Sequence, residues 1–184
     1  LRDTPLSQLA THAANAALMD AKVEPTDVDH LVWGNVLPVD PDGFYTGRVA
    51  ALNVGMPEES CALQVNRACG SGTQAIITAA QQIMTGHSKI ALAGGGENFS
   101  RGGFVNQKMR WGAIRGAQPF EDSVEWAYND PFGHGLMGVT GENLADDFQY
   151  LREDMDKWGE MSQQRAGVAM KSGFLAKQIA PIEV

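Results

Sequence analysis

At Cys69 the hydrophobic period of the chain changes. Ala62-Leu63-Gln64-Val65-Asn66 runs before it as an extended apolar stretch. Gly70-Ser71-Gly72 and an Ala/Ile-rich segment with helical spacing follow it. A switch of this kind across a glycine-flanked turn reads as a strand feeding a helix. The same alternation fills the first hundred residues. Residues 5–22 place Leu6, Leu9, Ala10, Ala13 and Ala17 on one helical face, with Thr4 as N-cap and Pro5 at the first helical position. Residues 30–36 read as a buried strand, Pro38 to Gly43 as a loop, and 44–54 as a second helix stopped by Gly55-Met56-Pro57. Residues 62–66 are the strand before Cys69. Residues 70–85 are the helix after it, with Ile76, Ala79, Ala80, Ile83 and Met84 on one face and Gly86 as its C-terminal cap. Residues 89–94 form a third strand that runs into Gly95-Gly96-Glu97-Asn98. Helix and strand alternating in this way predict an α/β class with a mostly parallel sheet.

The pattern changes after residue 100. From Arg101 to Gly141 glycines, aromatics and polar residues replace periodic apolar ones, with Pro119 and Pro131 as breakers. A long irregular excursion inside a compact protein is usually functional. Helical patterns resume at 141–149 and 152–172. Met155, Trp158, Ser162, Ala166 and Ala169 make a loose stripe in the second, and Gly159 weakens it. The chain therefore divides into residues 1–100 and residues 101–184.

Composition narrows the function. The net charge of −8 disfavours a nucleic-acid binder, which needs a basic face, and also disfavours an anionic membrane surface. Local cations still count: Arg101, Lys108, Arg110 and Arg115 read either as solvated surface or as an attraction point for a phosphorylated ligand such as coenzyme A. Two cysteines in 184 residues imply free thiols in a reducing compartment. A cytoplasmic location is expected, with mitochondrion and peroxisome left open. No run approaches the roughly 20 apolar residues of a membrane helix, and no signal peptide is visible. The chain opens at Leu1 rather than Met, so this says little of the parent protein. Metal binding is not expected, because the cysteines and histidines lack ligand spacing. Gly94-Gly95-Gly96 lacks the rest of a dinucleotide fingerprint and reads as a close backbone approach.

Cys69 has two readings. One is a buried cysteine acting as a small hydrophobe. The other is a nucleophile. Gly70 and Gly72 leave the backbone unshielded, the following helix places roughly half a positive charge near the sulfur, and that field favours a thiolate. The Cys69 N–H also points where an oxyanion would form. Cys61 lacks this context and reads as structural. A thiol nucleophile needs a base. His12 lies inside a helix, His30 begins a strand, and His87 follows the far end of the Cys69 helix. His134, in the glycine-rich loop, is the remaining local candidate.

The segment Val65-Asn66-Arg67-Ala68-Cys69-Gly70-Ser71-Gly72 resembles the acyl-enzyme cysteine motif of the thiolase family. Ala93-Gly94-Gly95-Gly96-Glu97-Asn98-Phe99-Ser100-Arg101 and Met137-Gly138-Val139-Thr140-Gly141-Glu142-Asn143 resemble two further thiolase segments, in the right order. Gln164-Arg165-Ala166 and Ile179 to Val184 fit further along. The resemblance implies a layered α-β-α fold, with part of the N-terminal half in 1–100 and part of a coenzyme A-binding loop domain in 101–184. It implies an acyltransferase acting on acyl-CoA, cleaving 3-oxoacyl-CoA or condensing acetyl-CoA through an acyl-enzyme on Cys69. Coenzyme A is then a substrate and no separate cofactor is expected. Met137 is implied to lie against the pantetheine arm. Leu136 stands where many members carry His, which bears on how the thioester end is held. A homodimer or homotetramer is implied, with the strand before Cys69 near its two-fold axis.

By the same resemblance a C-terminal half would supply the activating His, a second Cys and an oxyanion-hole Asn, none of which maps onto this chain. A first strand and a later strand of the sheet are also expected to be missing. Loss of a central strand would leave ladder groups unpaired, so 1–184 alone is expected to be marginally stable and inactive. Two rivals stay open: a non-catalytic thiolase-like binding or assembly subunit, and a ketoacyl synthase, whose cysteine context differs.

Overall fold

The computed structural model of the chain describes residues 1–183. They form two compact units, Leu1–Ala127 (joined by the last residues from Ile182) and Tyr128–Pro181. Regular periodicity ends near residue 100, within the first of these units.

The first unit is a three-layer α/β arrangement. Helix α1 (Leu6–Ala21) leads through a short 3-10 turn to strand β1 (His30–Gly34). A second 3-10 turn, Pro41–Tyr45, occupies the end of the expected loop and runs into α2 (Thr46–Asn53). Strand β2 (Cys61–Val65) precedes α3 (Ser71–Met84), and β3 (Ala91–Gly95) follows. The three strands are parallel, in the order β2-β1-β3. β1 pairs with β2 from His30↔Cys61 to Gly34↔Val65 and with β3 from His30↔Ala91 to Gly34↔Gly95. In this three-stranded sheet β1 lies in the middle and its ladder is unbroken on both sides. Within this sheet the unpaired ladder edges are the outer sides of β2 and β3.

Alternation along β1 builds both faces of the sheet. Leu31 and Trp33 point to a core shared with Ala10, Ala14 and Leu18 of α1 and Ala50 and Ala51 of α2. Val32, fully buried, points the other way onto Ala75 and Ala79 of α3. α3 therefore meets the sheet with small residues. The expected stripe is displaced: Ala79 is buried, but Ile76, Ile83 and Met84 are exposed. Methyl-sized contacts let the helix lie close to the strands, and the larger side chains turn outward. α1 starts one residue later than Pro5, which sits at the N-cap, and Thr4 makes no side-chain cap there.

The stretch 101–141 is less irregular than its composition implies. β4 (Phe104–Val105) and β5 (Glu121–Asp122) form a short antiparallel ladder, and α4 (Ser123–Tyr128) follows directly. In the second unit β6 (Asn129–Asp130) pairs with β7 (Gly135–Leu136). α5 (Met137–Phe148) begins four residues before the expected start, because Gly138 and Gly141 mask the helical pattern. The Thr140 hydroxyl donates to the Met137 carbonyl at 2.6 Å in its first turn. α6 (Arg152–Lys171) passes through Gly159 unbroken, and none of its residues is buried. No helix among the described residues is long and apolar enough to cross a membrane.

Candidate functional site

The turn between β2 and α3 is fixed by a compact set of hydrogen bonds. Asn66 Oδ1 accepts the Ala68 N–H at 3.0 Å, an Asx turn. The Ser71 hydroxyl accepts the Arg67 N–H at 2.9 Å and donates to the Ala68 carbonyl at 2.6 Å. That carbonyl also accepts the Ser71 N–H at 3.0 Å, while Gly70 N–H donates to the Arg67 carbonyl at 3.0 Å. Ser71 itself is buried. Between these clamps Ala68 has φ +45°, a left-handed conformation that a residue with a Cβ rarely adopts. Cys69 follows immediately, and its side chain is exposed. The reading of Cys69 as a buried hydrophobe is thereby removed.

The start of α3 is open at Gly72 but not at Gly70, where a Cβ would lie 3.3 Å from the Arg67 carbonyl oxygen and 3.7 Å from the Arg67 side chain. Gly70 is the N-cap and brings no side-chain cap. Gly72 has open space where a Cβ would stand. Among the described residues no acceptor meets the Gly72 or Thr73 N–H. Helix N-termini leave such donors free for an anion. The depth of the turn is set by Gly34 at the end of β1: a Cβ there would lie 2.7 Å from the Ser71 carbonyl carbon and oxygen.

A second layer of polar contacts ties this turn to the ends of the other strands. The Glu97 carboxylate accepts the Val36 N–H in a short hydrogen bond and the Leu37 N–H at 3.2 Å. Val36 in turn accepts from Asn66 Nδ2 at 3.4 Å. Asn35 Nδ2 donates to the Gly96 carbonyl at 3.1 Å, and Gln64 Nε2 donates to Asn35 Oδ1 at 3.3 Å and to the Gly43 carbonyl at 2.9 Å. The glycine run is the close approach the sequence implies. A Cβ on Gly94 would lie 2.8 Å from Trp33 Cζ3, and one on Gly95 would lie 2.9 Å from the Gly34 carbonyl oxygen. Two of the motifs, around Cys69 and around Glu97, thus share one hydrogen-bonded end of the sheet.

Other expected residues fall elsewhere. Cys61 opens β2 and is exposed. His30 stands at the opposite end of β1 from Gly34, with Nε2 buried and unpartnered. His87 lies beyond α3, whose 14 residues span about 21 Å, and its Nδ1 is 2.9 Å from the Thr85 hydroxyl. His12 lies within α1. His134 belongs to the second unit, where Asp130 accepts its N–H at 3.1 Å and lies 3.8 Å from Nε2. Leu136 and Met137, at the junction of β7 and α5, are both about half-exposed. Arg101 is not a free surface cation, because its Nε lies 3.5 Å from the largely buried Asp40 carboxylate. Lys108, Arg110 and Arg115 are exposed. A cavity of about 220 Å³ between α1 and the sheet is lined by alanines, glycines, Leu31, Trp33 and Leu92. With no nucleophile or titratable group on its wall, it is not a reaction site. No cluster of metal-ligating side chains occurs among the described residues.

Sequence reasoning missed Ala68 and Ser71. Nothing in an alanine announces a left-handed backbone. The Asx turn at Asn66 was readable, since Asn two residues before an N–H is its usual form.

Known proteins extend these observations. The family model for the thiolase N-terminal domain matches residues 1–184. Beta-ketothiolase BktB of Cupriavidus necator is 41% identical over 182 residues, covering 99% of this chain and 46% of that protein. Human mitochondrial 3-ketoacyl-CoA thiolase is 38% identical over 185 residues, covering 100% and 47%. The crystal structure of that human enzyme in complex with CoA superposes with a TM-score of 0.95 at 37% identity, again over 100% and 47%. The Bacillus anthracis acetyl-CoA acetyltransferase gives 0.93 at 34% identity, over 100% and 46%. The chain spans about half the length of the curated relatives it matches. Over all of its residues the chain belongs to the thiolase family, as an N-terminal domain of that family.

Proposed function

We propose that the protein is an acyl-CoA acyltransferase in which Cys69 is the nucleophile. In the cleaving direction the Cys69 sulfur attacks the C3 carbonyl of a 3-oxoacyl-CoA. The C2–C3 bond breaks, its electron pair stays with C2, and protonation there releases acetyl-CoA. The shortened acyl group remains as a thioester on Cys69. The thiol of a second coenzyme A then attacks that thioester, releases an acyl-CoA, and returns the cysteine. Splitting the transfer in two is what a covalent intermediate achieves. In the condensing direction the acyl group comes from one acetyl-CoA and is taken by the enolate of another.

The observation that carries this reading is the exposed Cys69 beside the open start of α3. No histidine of this chain is assigned as the base. Leu136 and Met137 are proposed to contact the pantetheine arm, supported by their half-exposure at a β7–α5 corner. The names of the relatives, which include a thiolase solved with CoA, support coenzyme A as the ligand. Residues 1–100 are proposed to form the cysteine-bearing part and residues 101–184 the coenzyme A-binding part. Self-association as a dimer or tetramer is proposed through the open edge of β2, where Leu63 is exposed. A cytoplasmic setting is proposed on the two unpaired thiols.

The test is to mix the full-length protein with acetyl-CoA, quench in acid, and map peptides by mass. One acetyl group on Cys69, with one coenzyme A released per subunit, is expected. Binding without acyl transfer would favour the non-catalytic assembly role instead.

A further inference from the structure

We infer that Ser71 is a positioning residue for Cys69, holding the preceding Ala68 in its left-handed conformation so that the sulfur is presented at the open start of α3. The inference rests on Cys69 being the nucleophile, and goes beyond it in assigning a role to a residue that touches no substrate.

Three observations meet at this point. Ala68 has φ +45°, where an L side chain is disfavoured and where a glycine would rest freely. A residue in that state persists only when its surroundings over-determine it. Ser71 supplies that over-determination from inside the fold. It is 5% exposed, and its hydroxyl bridges the residues on either side of the Arg67–Ala68 peptide. One hydroxyl thus satisfies the Arg67 N–H and adds a second donor to the Ala68 carbonyl, which the Ser71 N–H also meets. Within the turn Asn66 holds the Ala68 N–H alone, from the exposed side, while its Nδ2 reaches out to Val36. Removing the Ser71 hydroxyl leaves the Arg67 N–H without its acceptor and takes one of two donors from the Ala68 carbonyl, which loosens the hold on positive φ at Ala68. A rotation there acts on the bond leading into Cys69 and re-aims its exposed side chain relative to the start of α3. Gly34 leaves little depth for the turn to sink into, since there is not room for a Cβ between it and the Ser71 carbonyl.

The strained alanine provides the test. Ser71→Ala, Ala68→Gly and the double variant are made in the full-length protein. The rate of acetyl transfer from acetyl-CoA to Cys69 is measured beside the KM for coenzyme A and the thermal melt. With Ala68 present, Ser71→Ala is expected to slow acylation by about a hundredfold, on the scale of an ångström-level misplacement, while KM for coenzyme A moves by less than about threefold. In the Ala68→Gly background the same substitution is expected to cost less than about tenfold, because glycine needs no latch. A merely structural serine would give equal losses in both backgrounds, and that result overturns the inference. Acylation of Ser71→Ala at the wild-type rate overturns it too. Should Ser71→Ala alone fail to fold, Ala68→Gly is compared directly with the double variant, and a loss of a hundredfold or so there overturns the inference just as clearly. Wild-type protein that never acylates Cys69 would remove the nucleophile reading itself, an outcome distinct from failure of the latch.

Discussion

Gly34→Ala tests how the sheet sets the height of the turn that carries Cys69. The added Cβ would stand 2.7 Å from two backbone atoms of Ser71 and 3.0 Å from the Gly72 nitrogen, whereas ordinary contact begins at 3.4 Å. The start of α3 must therefore retreat by about 0.7 Å, the difference between 3.4 and 2.7 Å. No rotamer relieves this, because every nearby atom belongs to the backbone of the helix. β1 cannot yield either, since it is paired on both sides. Overpacking of this kind costs about 1–3 kcal/mol. A nucleophile displaced by somewhat less than an ångström loses on the order of tenfold to a hundredfold in rate. The assay is acetyl transfer to Cys69 in the full-length variant, read beside its thermal melt. A few degrees lost in melting and at least tenfold in acylation are expected. A Gly34→Ala protein with unchanged melt and unchanged acylation would show that α3 does not rest on this glycine.

Gly94→Ala drives a methyl group to 2.8 Å from the buried Trp33 ring, away from the Cys69 turn; it should lower stability by a similar 1–3 kcal/mol or so while leaving Cys69 acylation within about twofold per folded molecule, and a large loss of rate would contradict this. Glu97→Ala strips the Val36 and Leu37 amides of their carboxylate, with an expected loss of about 2 kcal/mol in equilibrium denaturation; no change would mean water replaces it. Asp29 tests the pH dependence. Burial raises its pKa, but hydrogen bonds from the Ser88 hydroxyl and the Lys89 and Ile90 amides outweigh that and hold it below the usual 3.8. A depressed folded pKa stabilises the protein above the unfolded value and ceases to do so as pH falls through the folded one. The stability gap between wild type and Asp29→Asn should thus be constant near neutrality and shrink below about pH 4; a gap independent of pH down to acid unfolding would refute the assignment.

The strands and long helices of the first hundred residues were legible because each buries one periodic face, and each element lies within two residues or so of its expected place. The order of the strands was not. Parallel pairing is decided by crossovers, and nothing in His30 to Val36 announces that this strand is central. The face of α3 was misjudged for a related reason. Ile76 and Ile83 carry more hydrophobic weight than Ala75, yet the sheet takes the alanine, because close approach counts for more there than side-chain size. In the candidate site the cysteine, its glycines and the strand-to-helix switch could be read. The Ser71 latch could not, since it depends on a backbone angle at Ala68 that local preference opposes.

Competitive alkylation of the two cysteines tests the reading of Cys69 most directly. Both thiols are exposed in this structure, so a difference in their rates with iodoacetamide reports on surroundings rather than access. At neutral pH in the full-length protein Cys69 is expected to react at least about tenfold faster than Cys61, and acyl-CoA is expected to protect Cys69 alone. Equal, slow rates that acyl-CoA leaves untouched would contradict acyl transfer through Cys69.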